Sequence, residues 1–227
     1  MSRARFRAVI AALEKMYGRP ASPAVTDPFE MIVRENVAYL VTDERRETAF
    51  SLLREKVGTT PGEILKAPKA TLHEITRLGG MHPEQRVDRL RDIARLAVSD
   101  FGGDLVPALG EPPAKAKRLL RKFPGIGDPG AEKILLFNRR LAILALDSNG
   151  QRVLLRLGFG EESKNYGASY RSAQVAVREE EPGAGFDLLT RAHLLLRAHG
   201  KETCKAASPR CEVCPLAKGC AYYADHR

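Results

Sequence analysis

Apolar residues recur at the three- and four-residue spacing of amphipathic helices along most of the chain. Segment 3–17 shows this pattern, because Phe6, Ile10 and Leu13 fall on one side of a helix. The short run 142–146 is ambiguous between helix and strand, and it is too brief to build a sheet. The pattern therefore predicts an almost entirely α-helical protein.

Prolines and capping residues mark where further helices begin. The strongest start is Thr26-Asp27-Pro28, in which Thr26 or Asp27 caps the helix and Pro28 takes the first turn. His199-Gly200 is predicted to be the C-cap of the last long helix. The predicted helices after the first are 28–42, 43–56, a short one from Thr60, 71–78, 83–100, 112–123, 128–139, 151–157, 169–180 and 186–198.

One turn interrupts the helical pattern in the middle of the chain. Its sequence is Pro124-Gly125-Ile126-Gly127, which the interior of a helix or strand tolerates poorly. A new helix follows, with Pro129 in its first turn, where a missing N–H costs nothing. This predicts a helix–hairpin–helix, in which the glycines allow close backbone approach and the free N–H groups suit a phosphate. Ile126 is expected to point into the core and anchor the turn.

A single aspartate follows the apolar run 141–146. This residue, Asp147, is followed within a few positions by a helix. A carboxylate at a helix N-terminus is most often only an N-cap. The alternative is a catalytic carboxylate that the following helix holds beside an apolar wall. The spacing by itself favours the cap and leaves the catalytic interpretation open.

The charge balance points to a polyanionic partner. The chain has 37 Lys and Arg against 28 Asp and Glu, a net charge of +9, and a pI near 9.6. Nucleic acid is the first candidate, and a generally basic protein is the alternative. No apolar stretch is long enough to span a membrane, and the N-terminus has no signal-type apolar region. A cytoplasmic protein is therefore expected, associated with the nucleoid in a prokaryote.

All the cysteines lie near the end of the chain and suggest a metal centre. Their spacing, C-x6-C-x2-C-x5-C, in a chain otherwise free of cysteine favours metal binding over disulfides. Zinc held by four thiolates and a [4Fe–4S] cluster are the two options. The loop after the first cysteine begins with Lys205 and ends with Arg210. Once a bound metal fixes this loop, its two basic ends are suited to bind a phosphate. The four residues are Cys204, Cys211, Cys214 and Cys220.

Taken together, these features resemble the endonuclease III family of helix–hairpin–helix DNA glycosylases over nearly the whole chain. The resemblance rests on Asp27-Pro28-Phe29-Glu30, Phe123-Pro124-Gly125-Ile126-Gly127, Leu146-Asp147 and His199-Gly200. The cysteine spacing matches the iron–sulfur loop of that family without gaps, which implies a [4Fe–4S] cluster with a structural role. The combination of these motifs, in this order, is highly specific.

The resemblance implies an all-α fold of two helical lobes. One lobe is a helical barrel over 26–137 that ends in the hairpin, and the other joins 1–25 to 138–227 with the cluster loop. Double-stranded DNA is expected to bind in a cleft between the lobes, with its damaged or mispaired base turned out of the stack. Asp147 falls on the family's catalytic aspartate, which stabilises positive charge on the sugar and activates water. A monomer without membrane contact is expected.

The chain departs from the family at the lysine that endonuclease III carries just after the hairpin. Pro129 occupies that position, and without an amine there is no Schiff base for strand cleavage. Lys133 lies one helical turn later on the same face and is a candidate amine, although a surface lysine is the simpler interpretation. The prediction is a monofunctional glycosylase with weak or no lyase activity. A bifunctional glycosylase and lyase is the alternative.

The segment that fills the gap in the duplex also differs from the family. Residues 35–43 replace its small-residue and glutamine stretch. Side chains here are candidates to wedge into the duplex, stack or read a base edge, with core packing as the alternative for the apolar ones. The loop 79–83 is either a connector or a second wedge. Without the glutamine, alkylated or mismatched bases are alternatives to oxidised pyrimidines. The wedge and pocket candidates are Asn36, Tyr39, Leu40, Met81 and His82.

Two other classes of protein are compatible with the sequence. A protein that keeps this fold without catalysis would bind lesions or duplex DNA through the hairpin and the basic surface alone. The presence of Asp147 argues against it. An iron–sulfur sensor would use the cluster as its working part, but it would not need the hairpin.

Overall fold

The computed structural model describes residues 5–226, in which helices joined by irregular segments are the regular secondary structure. They form thirteen α-helices and two 3-10 helices and contain no strand, only an isolated bridge between Tyr39 and Gly80. The all-α prediction is confirmed. The α-helices are α1 (Phe6–Tyr17), α2 (Pro28–Asn36), α3 (Asp43–Lys56), α4 (Pro61–Lys66), α5 (Lys69–Leu78), α6 (Pro83–Phe101), α7 (Val106–Leu109), α8 (Pro113–Leu120), α9 (Asp128–Phe137), α10 (Ser148–Arg156), α11 (Tyr166–Glu180), α12 (Phe186–Glu202) and α13 (Ala221–Asp225), and the 3-10 helices are Cys211–Val213 and Ala217–Gly219.

The chain divides into two compact units. The described part of the first unit joins residues 5–22 to 141–226, and the second unit runs from Pro23 to Arg140. Helix α1 and helices α10 to α13 belong to the first unit, and α2 to α9 to the second. None of the described helices has the length and apolar character that a bilayer crossing requires.

Helix α10 lies at the centre of the first unit. It packs most extensively on α12 and also contacts α11 and α13, while α1 packs on α12. Phe6 of α1 meets Phe159 edge to face, with ring centroids 6.0 Å apart, and both rings are fully buried. Burying one such ring stabilises the fold by roughly 1.5–3 kcal/mol. This core fixes α10 and the residues that flank it.

In the second unit, the long helix α6 is the common support. Helices α2, α4 and α5 pack against α6, α3 packs on α5, and α8 packs on α9. Phe101 at the end of α6 stacks on Phe123 just before the hairpin, with ring centroids 5.4 Å apart. The stack joins the hairpin to the end of α6.

The helix predicted over 28–42 is too long. Helix α2 ends at Asn36, and the chain is then irregular until α3 begins. Leu40 has a left-handed backbone conformation, φ 54°, which an α-helix cannot include. The Tyr39 N–H donates to Gly79 O at 2.8 Å, so this segment exchanges a helical hydrogen bond for one to a neighbouring loop.

The C-cap predicted at His199-Gly200 is wrong. Helix α12 continues to Glu202, and both residues are buried within it. A Cβ at Gly200 would lie 2.6 Å from the backbone oxygen of Asn149 in α10. The glycine is therefore needed for close packing of α12 on α10 and does not end a helix.

The other predicted boundaries differ by only a few residues. Helix α11 begins at Tyr166 because the Asn165 side chain caps it by accepting from the Ala168 N–H at 3.0 Å. The sequence pattern does not predict the short helices α7 and α13. Arg3, the predicted start of the first helix, lies outside the described residues.

Candidate functional site

Asp147 combines a helix cap with a second carboxylate oxygen that has its own polar contacts. Its Oδ1 accepts a hydrogen bond from the Gly150 N–H at 2.8 Å, the N-cap geometry of α10. Its Oδ2 accepts from Asn149 Nδ2 at 3.2 Å and lies 3.3 Å from Arg197 Nε. The side chain is 30% exposed. One oxygen therefore holds the helix, while two polar groups contact the other in a partly exposed side chain.

The segment before this carboxylate is apolar and buried, but it belongs to no regular element. Residues 144–146 are almost inaccessible to solvent. Side chains of α11 and α12 satisfy two of its carbonyls: Gln174 Nε2 donates to Leu144 O at 2.9 Å, and His193 Nδ1 donates to Ala145 O at 2.8 Å. These bonds fix an apolar wall next to the catalytic candidate.

Two side chains near Asp147 carry no signal in the sequence. Arg197 lies on α12, and Tyr166 begins α11. Burial raises the pKa of the Tyr166 hydroxyl, and the negative charge of Asp147 raises it further. Neither residue belongs to a motif, so only the packing of α11 and α12 on α10 reveals them.

The four cysteines line one cavity in the first unit. All four are free thiols. Among residues 5–226, no group of three or more His, Cys, Asp or Glu side chains forms a site for a metal ion. A single Zn²⁺ draws its sulfur ligands to about 2.3 Å, whereas a four-iron cluster holds its thiolates around a larger core. Four free cysteines around one cavity are a donor set that both groups accept.

Cationic and aromatic side chains surround these sulfurs. Arg156 Nη1 lies 3.3 Å from Cys204 Sγ, and its guanidinium stacks over the Tyr222 ring at 4.2 Å. His199 Nε2 lies 3.4 Å from Cys214 Sγ. Burial raises the pKa of the Cys214 thiol to about 11, so metal binding at neutral pH would release its proton. The Arg156 charge would offset part of the negative charge of bound thiolates.

The loop between the first two cysteines is pinned at both ends. The N–H groups of Lys205 and Arg210 both donate to Thr203 O, at 3.0 and 2.9 Å. Arg156 donates to Lys205 O at 2.7 Å and to Ala206 O at 3.0 Å. The side chains of Lys205 and Arg210 are exposed. The loop thus presents two cations on a restrained backbone, as phosphate binding requires.

The hairpin lies in the second unit. Gly125 has φ 78°, and a Cβ there would lie 2.7 Å from Asn36 Oδ1, so only glycine fits. Ile126 is buried, and its N–H donates to Phe123 O at 3.1 Å. Gly127 is the N-cap of α9, is exposed, and offers no side-chain cap. The start of α9 therefore has backbone N–H groups that an anion can approach.

Asn36, a candidate to read a base edge, is directed into the protein. Its side chain is buried, its Nδ2 donates to Ile32 O at 2.9 Å, and its Oδ1 faces Gly125. The amide therefore supports the hairpin from α2 and presents no hydrogen-bonding edge to solvent.

Two neighbouring loops of the second unit, residues 37–42 and 79–82, expose large apolar side chains; we call them the loop pair. Tyr39, Leu40 and Met81 are 53%, 71% and 53% exposed. Leu40 therefore does not pack in the core, and that alternative interpretation is wrong. The isolated β-bridge joins the two loops.

Strained backbone and one buried arginine shape the loop pair. Leu40 and His82 have φ 54° and 56°, a left-handed region that costs a non-glycine residue about 1–2 kcal/mol. Buried Arg86 anchors the second loop, because its Nη2 donates to Gly80 O at 2.8 Å and to Thr76 O at 2.5 Å. Strain that the surrounding structure maintains is concentrated at functional sites. The apolar tips of the loop pair are thus candidates to contact a partner.

Lys133, the candidate lyase amine, is held in an ion pair. Its Nζ contacts Glu35 Oε1, and the two side chains are 19% and 34% exposed. Burial by itself raises the pKa of Glu35, but the charge and hydrogen bond of Lys133, together with the charges of Arg46 and Arg34, outweigh burial and hold that pKa at about 2. An amine must be neutral to form a Schiff base. The pair therefore argues against Lys133 as a nucleophile.

Lys133→Met is expected to destabilise the protein at neutral pH by on the order of 1 kcal/mol, a modest effect because both partners keep contact with solvent. The pKa of Glu35 is lower in the folded chain than its ordinary 4.5, so the pair stabilises the fold above pH 4.5 and loses this effect as the pH falls towards 2. Chemical denaturation at pH values from 7 to 2 gives the free energy of unfolding. The variant should be less stable than the wild type at pH 7, and this difference should disappear as the pH falls from 4.5 to 2. For the exposed control Lys56→Met, no such pH dependence is expected. A Lys133→Met deficit that is constant down to pH 2 would contradict this prediction.

Comparison with solved structures identifies the fold. A structure of a trapped covalent intermediate of endonuclease III with DNA matches at a TM-score of 0.76 and 22% identity, over 97% of this chain and 96% of that chain. This likeness shows the fold of the helix–hairpin–helix DNA glycosylases. No family model matches the chain.

Sequence relatives identify the family. Endonuclease III of Sulfolobus acidocaldarius is 31% identical over 186 residues, which cover 82% of this chain and 78% of the relative. A thymine/uracil-DNA glycosylase of Methanothermobacter thermautotrophicus is 28% identical over 163 residues, covering 71% and 67%. The chain belongs to the endonuclease III family, and its class of activity is that of a DNA glycosylase in base excision repair.

Proposed function

We propose that the protein is a monofunctional glycosylase that removes a damaged or mispaired base from duplex DNA with Asp147 and water. The observation that supports this proposal is that the two oxygens of the Asp147 carboxylate have different contacts. Oδ1 caps α10, while Oδ2 is contacted by Asn149 and Arg197 in a side chain that is 30% exposed. A residue that served only as a cap would need only the first oxygen.

The chemistry follows from the charge that develops during the reaction. As the N-glycosidic bond breaks, the base leaves with the bonding electrons and the sugar becomes positively charged. The Asp147 carboxylate would stabilise that charge and take a proton from the attacking water, whose oxygen forms the new bond to the sugar. The apolar wall at 144–146 lowers the local dielectric constant, so this electrostatic stabilisation is less screened than in bulk water.

The absence of lyase action is the second part of the proposal. Pro129 stands at the position after the hairpin where the family's lysine is found, and it has no amine. Lys133 is engaged by Glu35. Without an amine to attack the opened sugar, no Schiff base forms and β-elimination of the strand is not catalysed.

Two backbone-contacting elements would hold the DNA. One is the hairpin Pro124-Gly125-Ile126-Gly127, and the other is the loop that carries Lys205 and Arg210. Both suit phosphates, which position a protein on a duplex without selecting a base. The net charge of +9 favours the same partner. A monomer would suffice, because one chain carries both elements.

We assign the four cysteines to a [4Fe–4S] cluster. They line one cavity, they are free thiols, and Arg156 lies beside Cys204. The bound cluster would contribute strong iron–thiolate bonds that fix the loop 205–210. No step of base removal passes through it.

The loop pair favours a weakly paired substrate base. Tyr39, Leu40 and Met81 offer an apolar surface to fill the gap left by a flipped base. An apolar wedge forms no hydrogen bond to the opposite base, so selectivity would come from how easily a pair opens, which favours mispairs and damage. The relative named for thymine and uracil makes mispairs of these bases the first choice to test.

The test is a panel of duplexes that each contain one altered position: uracil or thymine opposite guanine, an oxidised pyrimidine, an alkylated purine or a plain abasic site. Each reaction is analysed with and without hot alkali. Strand cleavage that requires alkali would support base removal without lyase action, and the responding duplex would identify the substrate. Cleavage without alkali would indicate a bifunctional enzyme. Tight binding without cleavage of any duplex would indicate a DNA-binding protein without catalysis.

Leu40→Asn is expected to lower the excision rate about tenfold or more, because unstacking a base costs a few kcal/mol that an apolar wedge offsets. Asparagine accepts the left-handed backbone at this position more readily than leucine, so stability should stay within about 1 kcal/mol of the wild type. Single-turnover kinetics and thermal unfolding measure the two effects. Val98→Thr changes another exposed apolar residue of the same unit and should alter neither. Full excision activity in Leu40→Asn would exclude Leu40 as a wedge.

A further inference from the structure

Arg197 on α12 forms an ion pair with the carboxylate that the proposed reaction uses. Its Nε lies 3.3 Å from Asp147 Oδ2, and the two side chains are 35% and 30% exposed. Both residues belong to the first unit. An ion pair that keeps contact with solvent contributes little to stability. A stronger partner for the guanidinium can therefore replace Asp147.

The backbone of α12 at Arg197 is fixed, although the side chain is partly exposed. His193, one helical turn earlier on the same face, donates from Nδ1 to Ala145 O at 2.8 Å. Leu196 is fully buried, and a Cβ at Gly150 of α10 would lie 3.4 Å from its Cβ. These contacts pack α12 closely against the start of α10. The guanidinium therefore stands on a fixed Cα at the end of a side chain with several rotatable bonds, which allows it to change partner.

The orientation of the Asp147 carboxylate does not depend on Arg197. Its Oδ1 accepts from the Gly150 N–H at 2.8 Å, and its Oδ2 accepts from Asn149 Nδ2 at 3.2 Å. Each oxygen keeps one of these hydrogen bonds when the guanidinium moves away. Arg197 is therefore not required to hold the carboxylate in place.

A guanidinium in this position opposes the proposed reaction. The sugar becomes positively charged as the N-glycosidic bond breaks, and the Asp147 carboxylate stabilises that charge. A second positive charge 3.3 Å from the same carboxylate repels the sugar cation and offsets part of this stabilisation. The reaction is therefore fastest when Arg197 is not paired with Asp147.

The substrate carries a stronger partner for Arg197. The sugar of each nucleotide is bonded to a phosphate on either side, so a sugar held at Asp147 brings two negative charges close to this arginine. A guanidinium binds a phosphate through two parallel N–H···O bonds, which are stronger than a partly exposed ion pair with a carboxylate. Binding of the nucleotide thus favours a change of partner.

We propose that Arg197 transfers from Asp147 to a phosphate of the flipped nucleotide when the substrate binds. The inference rests on the proposed function for the role of Asp147 and deepens it, because it assigns a DNA contact next to the reacting carboxylate. One ion pair is exchanged for another, so Arg197 keeps a partner throughout. The carboxylate acts on the sugar only after a nucleotide has removed the guanidinium.

The first test combines a protein change with a DNA change and needs no catalysis. A methylphosphonate replaces, one at a time, the phosphates on either side of an abasic-site analogue, which removes one negative charge. For one of these duplexes the affinity of the iron-loaded wild type should fall about tenfold, the effect of losing a charged hydrogen bond. Arg197→Met should lower affinity for the unmodified duplex by the same factor. It should lose no further affinity on the modified duplex, because both changes remove one contact.

Three further variants separate this contact from general charge and from a folding defect. Arg191→Met removes an arginine of the same helix that pairs with Glu14 and is 28% exposed, and its effect should add to that of the methylphosphonate. Arg197→Gln is a second uncharged variant and should behave like Arg197→Met. Arg197→Lys keeps the charge and should recover most of the affinity. The slope of log affinity against log salt should be about 0.9 less steep in the two uncharged Arg197 variants than in the wild type.

The second test finds the step that the contact serves. Below saturation, Arg197→Met should excise the base of the responding duplex about tenfold more slowly than the wild type. Saturating protein should restore its single-turnover rate to within about twofold, because the lost contact is present both before and during bond cleavage.

Two results would overturn the transfer. Additive effects of Arg197→Met and of both methylphosphonates would show that Arg197 contacts neither phosphate. A saturated rate more than about tenfold below the wild type, with an unchanged salt slope, would show that Arg197 stays on Asp147 during the reaction. The binding test applies equally if the wild type excises no base from any duplex, an outcome that would refute the proposed function alone.

Discussion

Asp147→Asn is expected to keep the fold and to lose base excision, with a single-turnover rate lower by at least about a hundredfold. Asparagine caps helices as well as aspartate does, so its side-chain oxygen can still accept from the Gly150 N–H at the start of α10. It has no negative charge, and it therefore neither stabilises a sugar cation nor takes a proton from water. Thermal unfolding and excision of the duplex identified by the panel measure the two effects separately.

Asp27→Asn is the matched control for this experiment. Asp27 caps α2 by accepting from the Glu30 N–H at 2.8 Å, so the same exchange is made at the same kind of position in the second unit. Its excision rate should equal that of the wild type. Asp147→Ala loses both charge and cap and should also be less stable by about 1 kcal/mol. Full activity of Asp147→Asn would mean that Asp147 is only a cap.

Cys214→Ser is expected to abolish stable iron binding and to release the C-terminal segment. Within residues 203–226, only Thr203 and Leu216 are buried. Ordering a residue costs about 1–2 kcal/mol of backbone entropy, which so little apolar burial cannot offset over this length. We therefore expect a bound group to supply much of the stabilisation of the segment, as metals do in metal-dependent folds.

Three measurements check this result: the iron content per chain, the rate of protease cleavage between Cys204 and Cys220, and the affinity for duplex DNA. Iron should be lost, cleavage should accelerate and affinity should fall, because Lys205 and Arg210 lose their fixed positions. Ser208→Ala, an exposed change in the same loop, should leave all three unchanged. Zinc in place of iron in the purified wild type would contradict the cluster assignment. A Cys214→Ser variant with full iron content would show that this cysteine is not a ligand.

Two helix boundaries show where inference from the sequence ends. A glycine ends a helix and allows two helices to touch for the same reason, its lack of a Cβ, so the residues around Gly200 cannot distinguish a cap from a packing contact. In the structure, Gly200 lies so close to Asn149 of α10 that a Cβ would not fit, which shows that the glycine serves helix packing. In the same way, α2 has no strong stop signal after Asn36, and it ends there because a distant loop offers an acceptor to Tyr39.

The environment of each candidate site residue also depends on partners far along the chain. Glu35 and Lys133 pair between α2 and α9, and Arg197 reaches Asp147 from α12. No local pattern marks either pair, because hydrophobic periodicity describes how an element lies on its core and not which side chains of another element it meets. The catalytic, DNA-binding and metal-binding roles of these residues stay predictions.

The sequence by itself determined the all-α class, the hairpin at 124–127, the helix start at Asp147 and membership of the endonuclease III family. These features depend on local periodicity, on the stereochemistry of proline and glycine, and on motif spacing, which are properties of neighbouring residues. Only the tertiary structure decided that Leu40 is exposed on a strained loop, that Lys133 is engaged by Glu35, and that Arg197 of α12 lies beside Asp147. These features arise from contacts between distant segments, and such contacts exist only once the helices have packed.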